Sequence, residues 1–235
     1  MQDPLFELLV PALVPLGLTL KVALTATAGA CVLGVGAGYA LSRPGLSGRG
    51  LPGRELLDAL CTLPLVLPPT VIGYYLLVLF GRRGVLGQWL QGTFGVSLVF
   101  TWQGAALAAC VVAFPLVSKA ARTAFEGVDP NLEFAARSLG AGEGSVFVRV
   151  SLPLAWRGVL AGTMLALARA MGEFGATLML AGNLPGRTQT LSLAVYDAVQ
   201  AGRDNEALFL VLLTSLVCIL LLLASGKFLK PSNTI

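Results

Sequence analysis

The sequence predicts an all-α integral membrane protein with five membrane-spanning helices, and three observations carry that reading. The 235 residues are 56% hydrophobic and only 12% charged, roughly half the charged share of a soluble domain. Mean hydropathy is +0.82. The apolar residues come in blocks that can cross a bilayer, for which about 20 residues suffice. Expected spans are 16–41, 56–80, 96–117, 154–180 and 207–225, all within one domain covering 1–235. The net charge of +4 does not point to nucleic acid, because the basic residues flank apolar runs instead of forming a patch. Cys31, Cys61, Cys110 and Cys218 lie far apart inside apolar runs with no CxxC spacing, and read as buried small hydrophobes. Histidine is absent, which removes the commonest general base. The N-terminus carries Asp3 and Glu7 and no basic segment, so no cleavable signal peptide is expected.

Along the chain, residues 1–12 read as a short amphipathic lead-in interrupted by prolines, with Pro4, Pro11 and Pro15 in this region. The first span carries Lys21 and ends in the run from Gly34 to Gly38. No strand precedes those glycines, so they read as a helix contact face and not as a dinucleotide fingerprint. A Gly/Pro-rich loop with Arg43, Arg49 and Arg54 follows. The second span contains Pro64, Pro68 and Pro69. Prolines there free backbone carbonyls that a bilayer cannot satisfy. A kinked helix in an irregular bundle and a broken helix lining a pathway both fit. The loop 81–95 holds Arg82, Arg83 and Trp89, a candidate interfacial anchor, and the third span includes Trp102-Gln103-Gly104.

Basic residues are distributed unevenly between the two sides. Arg43, Arg49, Arg54, Lys119, Arg122, Arg137, Arg149, Lys227 and Lys230 fall on one side, and Arg82, Arg83, Arg187 and Arg203 on the other. The bias places the N-terminus outside and the C-terminus in the cytoplasm.

The segment 129–153 then lies in the cytoplasm. Asp129-Pro130-Asn131 looks like a helix start, and Leu132, Ala135, Ala136 and Leu139 share a face at helical spacing. Gly140 is placed to end that helix. Val146 to Val150 reads as a second short helix closed by Leu152-Pro153, so the segment is expected to form a compact knob of two short helices around a glycine corner.

No Walker A sequence, metal-ligand cluster or nucleophile with a recognisable base is present in the sequence. The costly feature is Arg169 and Glu173 inside the fourth span, four apart and therefore able to pair on one helix face. They read either as a self-neutralised structural pair, with Lys21 as a third member, or as a pathway or gating element. The turn-like stretch 183–190 leads into a helical apolar stripe of Leu191, Ala194, Val195, Ala198 and Val199. It can dip into the bundle, cap it, or stand as a solvated loop.

The segment 129–153 resembles the cytoplasmic signature of ABC-importer permeases: Glu-Ala-Ala, three residues, Gly, nine residues, Ile-x-Leu-Pro. Ala135, Ala136, Gly140, Val150, Leu152 and Pro153 stand at matching positions. Phe134 occupies the place of the signature Glu, and Glu133, one residue earlier, is left the role of a cap or surface contact. The stretches 168–177 and 181–190, the prolines of the second span and Phe100 to Ala105 are similar to the molybdate permease family, with sulfate and tungstate permeases as relatives. The resemblance implies a type I ABC importer permease fold in a bacterial inner membrane. It also implies a homodimer within membrane lipid, two ATP-binding cassette subunits that hold ATP-Mg, and a periplasmic or lipoprotein molybdate-binding protein. Glu133, Ala135, Ala136, Gly140, Leu152 and Pro153 would couple to the ATPase subunit. Pro68, Pro69, Arg169, Glu173 and Thr177 are the candidate pathway or gating residues. No cofactor, metal or nucleic acid is expected on this chain, and its substrate would be the molybdate oxyanion. A stand-alone anion channel or secondary transporter is the rival from another class, and it leaves the signature unexplained.

Overall fold

The computed structural model describes residues 4–43 and 53–229, with the backbone path alone at 4–8 and 224–229. Arg49 and Lys230 lie outside the described residues, as do Asp3 and the side chains of Glu7 and Lys227. The first helix, α1, runs Pro4–Ser42 with Pro11 and Pro15 inside it. The expected lead-in is therefore helix from residue 4 onward. Each proline costs one backbone hydrogen bond, and the Thr19 hydroxyl donates to the Pro15 carbonyl at 2.8 Å. At 1.5 Å per residue α1 is about 58 Å long.

The second expected span is two helices, α2 at Arg54–Val66 and α3 at Pro69–Phe80, meeting at a bend of 112°. Pro64 is tolerated inside α2, whereas Pro68 caps α3 and Pro69 opens it. Of the two readings of the prolines, the broken helix is observed. A short α4, Val85–Phe94, follows.

The third expected span is displaced. Residues 96–101 are not helical, and α5 runs Trp102–Glu126. Thr101 decides that start, accepting the Gly104 N–H at 3.2 Å and donating to the Leu98 carbonyl at 2.7 Å, because a capping oxygen satisfies an amide that apolar neighbours cannot.

After α5 come α6, Pro130–Ser138, and α7, Glu143–Val146. A π-helical turn at Phe147–Ser151 joins α7 to α8, Leu152–Met171. The knob is thus one free helix plus the foot of a long one: Leu152-Pro153 does not close a second short helix, because proline needs no amide partner in the first turn of α8. The fourth expected span breaks at Gly172 and resumes as α9, Gly175–Ala181. Then α10, Leu191–Gln200, precedes α11, Asp204–Leu229.

Among the described residues, Leu9–Ser42, Trp102–Glu126, Glu143–Met171 and Asp204–Leu223 can each cross a membrane, and the bent α2–α3 pair makes a fifth crossing if it is one span. The centre of the bundle is α5, packed between α1 and α8. Its buried positions are mostly small: Ala105, Ala106, Ala109 and Ala113 meet Ala23, Ala26 and Ala30 of α1 and Ala166 and Ala170 of α8. Small side chains let helices approach closely where water exclusion adds no force. A Cβ at Gly34 would lie 2.8 Å from the Val117 Cβ, and one at Gly162 would lie 2.4 Å from the Ala120 Cβ. Gly36, by contrast, faces open space. The four cysteines are free and half-buried, not fully buried as their apolar surroundings suggested. At one side α3 and α9 pack through Ile72, Leu76, Ala176 and Leu180; at another, α10 and α11 pack against the start of α1.

Overpacking a tight contact typically costs about 1–3 kcal/mol. Gly162→Leu is expected to lower the melting temperature of the detergent-solubilised protein, and Gly36→Ala, whose Cβ meets open space inside a helix, to leave it the same or slightly raise it.

Candidate functional site

Two places combine polar chemistry with a broken backbone. The first is a cavity of about 250 Å³ lined by Pro69, Thr70, Arg169, Gly172, Glu173, Phe174 and Gly175. It lies where both interrupted spans meet: α3 opens at Pro69, α8 ends at Met171, and α9 begins at Gly175. A Cβ at Gly175 would approach Pro69 to 3.1 Å, so the two breaks are in direct contact. Gly158 and Gly162 of α8 face Ala124 and Ala120 of α5; continuing that antiparallel register brings Arg169 roughly level with Ala113, near the middle of α5.

Glu173 is 2% exposed and Arg169 32% exposed by side chain, and their charged atoms lie 2.7 Å apart. The expected pair forms, but not on one continuous helix. Gly172 ends α8, and the Glu173 carboxylate accepts the Ala176 N–H at 2.8 Å. Glu173 therefore caps α9 with one oxygen and neutralises Arg169 with the other. A carboxylate at a helix N-terminus satisfies an amide with no intrahelical partner. Lys21 does not join the pair: its ammonium sits 3.8 Å from the centroid of the Trp102 ring. Thr177 is buried on α9 and does not line the cavity, and Pro68 is exposed while Pro69 lines it.

The second place is the junction around α6. Asp129 caps the helix, accepting the Asn131 N–H at 2.9 Å, and Gly140 ends it with φ +86°. Leu132, Phe134 and Leu139 are exposed, and Ala135 lies on the same outer side. Ala136 is half-buried. Glu133 does not cap the helix, a role that Asp129 takes. Its side chain is 17% exposed and turned inward, where it accepts from Arg43 at 2.8 Å, Ser151 at 2.5 Å and Arg137 at 3.4 Å. Glu143 accepts from Arg43 at 3.1 Å and Arg137 at 2.7 Å, and that Glu143 bond raises Arg137 above the ordinary arginine range. Below the ions, Tyr39 packs edge-on against Phe125 and Phe147, with centroids 5.1 and 4.5 Å away. The Arg43 guanidinium lies over the Tyr39 ring at 4.2 Å. Sequence reasoning gave Arg43 and Ser151 no role; an arginine closing α1 and a serine eighteen residues after a glutamate carry no spacing signal.

At the opposite end, the 183–190 stretch is capped into the fold and not solvated along its length. Thr188, Gln189 and Thr190 are buried, the Thr188 hydroxyl accepts the Leu184 N–H at 3.0 Å, and the Thr19 hydroxyl accepts the Leu191 N–H at 2.8 Å. Pro185, Gly186 and Arg187 remain exposed.

Interrupted apolar helices around a buried ion pair, with an amphipathic helix standing outside the bundle, define a multi-pass membrane protein. The chain belongs to the binding-protein-dependent transport system inner membrane component family, whose model matches residues 30–233. It is 49% identical over 175 residues to the molybdenum transport system permease protein ModB of Escherichia coli strain K12, covering 74% of this chain and 76% of that one. It is 44% identical over 193 residues to the putative molybdenum transport system permease protein YvgM of Bacillus subtilis strain 168, covering 82% and 83%. Among solved structures, it is similar to a chain of the MetNI methionine ABC transporter in an inward-facing conformation, with a TM-score of 0.72, 19% identity and coverage of 97% and 98%. A bacterial ABC transporter involved in alginate import matches at a TM-score of 0.75 and 14% identity, covering 99% of this chain and 86% of that one. The fold is therefore that of ABC importer membrane subunits, in a protein of the inner membrane.

Removing the Glu173 carboxylate leaves a partly exposed arginine and a buried amide unpaired, and an unmet buried donor typically costs about 1–3 kcal/mol. Glu173→Ala should destabilise the solubilised protein markedly. Glu173→Gln, whose amide oxygen can still accept from Ala176, should destabilise it less by thermal melting.

Proposed function

We propose that this chain is the membrane-spanning permease of an ATP-driven importer for molybdate. It would act as a homodimer with two ATP-binding cassette subunits and a periplasmic or lipoprotein molybdate-binding protein. The observation that carries this reading is its 49% and 44% identity to proteins named as molybdenum permeases, over most of the chain. A related oxyanion is the second reading, favoured by 42% identity over 158 residues to the chloroplastic sulfate permease 2 of Chlamydomonas reinhardtii. In this assignment the N-terminus is outside and α6 faces the cytoplasm, in keeping with the basic side chains at that end. ATP-Mg is held by the partner subunits.

The geometry supports a division of labour. The exposed Leu132, Phe134, Ala135 and Leu139 give α6 an apolar face suited to a groove on the ATPase, with Ala136, Gly140, Leu152 and Pro153 shaping the knob. Closure of that partner would move α6, and α8 would carry the movement toward Arg169, Glu173 and the Pro69 end of α3. To move such a switch from 1:99 to 99:1, ATP must favour one state by about 5.5 kcal/mol. The Arg169 charge is already neutralised by Glu173, so a passing dianion meets little net attraction and is not retained. Selection then falls to the binding protein.

The importer reading is tested in proteoliposomes holding the permease, its ATPase and its binding protein, by following radiolabelled molybdate, tungstate and sulfate. Molybdate uptake that needs ATP is expected; uptake without the ATPase would instead identify a channel or secondary transporter. Ala135→Trp and Gly140→Val should abolish uptake and stimulated ATP hydrolysis while the permease still inserts. At Gly140 the cause is strain, since a Cβ there meets open space but φ is +86°. Arg169→Gln and Glu173→Gln should reduce transport more than they reduce assembly.

A further inference from the structure

The helix α6 contains no buried residue. Its connections are short: Gly127 to Asp129 before it, where Val128 packs into the core with Phe125 and Val159, and Leu139 to Gly142 after it. Val128 anchors the start of α6, but no apolar contact fixes the helix itself, and Gly140 and Gly142 leave the backbone at its other end conformationally permissive. What sets its orientation beyond that anchor is the polar junction. Arg43 reaches from the end of α1 with one guanidinium nitrogen 2.8 Å from Glu133 on α6 and the other 3.1 Å from Glu143 on α7. Ser151, in the π-helical turn that becomes α8, donates to the same Glu133 oxygen. The two arginines and two glutamates balance in charge, and Glu133 is shielded enough from water for its contacts to escape most salt screening.

We propose that Arg43 and Glu133, with Ser151, form a positioning brace that locks α6 to α1 and to the foot of α8. A push on α6 is then delivered to both helices as one rigid movement. This rests on the reading of 129–153 as the docking segment. The planar fork of Arg43 is needed because it spans two carboxylates on two elements at once, which a lysine ammonium on a single point cannot reproduce. The brace also explains why the acid at 133 is tolerable one residue away from the signature position: it acts inside the subunit, leaving Phe134 to face outward.

The test is a double-mutant cycle in the reconstituted complex of permease, ATPase and binding protein, reading molybdate transported per ATP hydrolysed. Arg43→Gln and Glu133→Gln are each expected to lower that ratio about tenfold, and the double variant to fall no further, as for residues acting through one contact. Arg43→Lys should remain several-fold below wild type, and Ser151→Ala about threefold below it. A wild-type ratio in Arg43→Gln, or losses that multiply in the double variant, overturns the brace. If Arg43→Gln does not assemble, a wild-type ratio in Ser151→Ala overturns it instead. Normal coupling in Ala135→Trp would refute the docking segment itself, whereas an uncoupled Ala135→Trp beside a normal Arg43→Gln would refute only the brace.

Discussion

A helix interrupted inside a bilayer must have its freed amides and carbonyls met by the protein, because lipid offers no partner. Much of this structure follows from that constraint. At the break between α8 and α9, the buried Glu173 carboxylate accepts the Ala176 amide, and its second oxygen requires a cation, which Arg169 supplies. At the break between α2 and α3, Pro69 opens the new helix, so one of the amides that would need a partner does not exist. The two breaks lie against one another, and the cavity forms where they meet. The ion pair is thus a structural requirement of the broken span and, by position, the polar lining of that cavity.

The rigid part of the molecule is built differently. Between α1, α5 and α8 the buried contacts are mostly alanine and glycine, which brings backbone close to backbone and leaves little freedom for one helix to slide on another. In the proposed coupling, a movement entering at the foot of α8 would be carried along its length, whereas α3 and α9 join the frame through larger aliphatic side chains. The aromatic cluster of Tyr39, Phe125 and Phe147 fastens α1 and α5 to the π-helical turn that leads into α8, at the end where α6 attaches.

The fold class and the approximate spans were legible because bilayer thickness imposes a length and an apolar composition that any window of sequence displays. The boundaries were less so. Residues 96–101 are apolar enough for a span, yet Thr101 starts the helix at Trp102 by capping it. Residues 1–12 looked interrupted by prolines, yet α1 continues through Pro11 and Pro15. In each case a local hydrogen bond or a tolerated proline outweighed the pattern. At the α6 end, the cap at Asp129 and the glycine terminator at Gly140 were readable because both act within a few residues of themselves. The inward turn of Glu133 was not, because two of its three partners, Arg43 and Ser151, lie 90 and 18 residues away.

By itself the sequence determined a membrane-embedded helical protein, the pairing of Arg169 with Glu173, and the start and stop of α6. These are consequences of composition and of contacts between near neighbours along the chain. Only the tertiary structure decided that Glu173 stands at a helix break, that the two breaks share one cavity, and that Arg43 and Ser151 converge on Glu133. Those contacts depend on where the close packing of small residues sets α1, α5 and α8 relative to one another; Gly34 and Gly38 mark a contact face in the chain, but not which helix meets it.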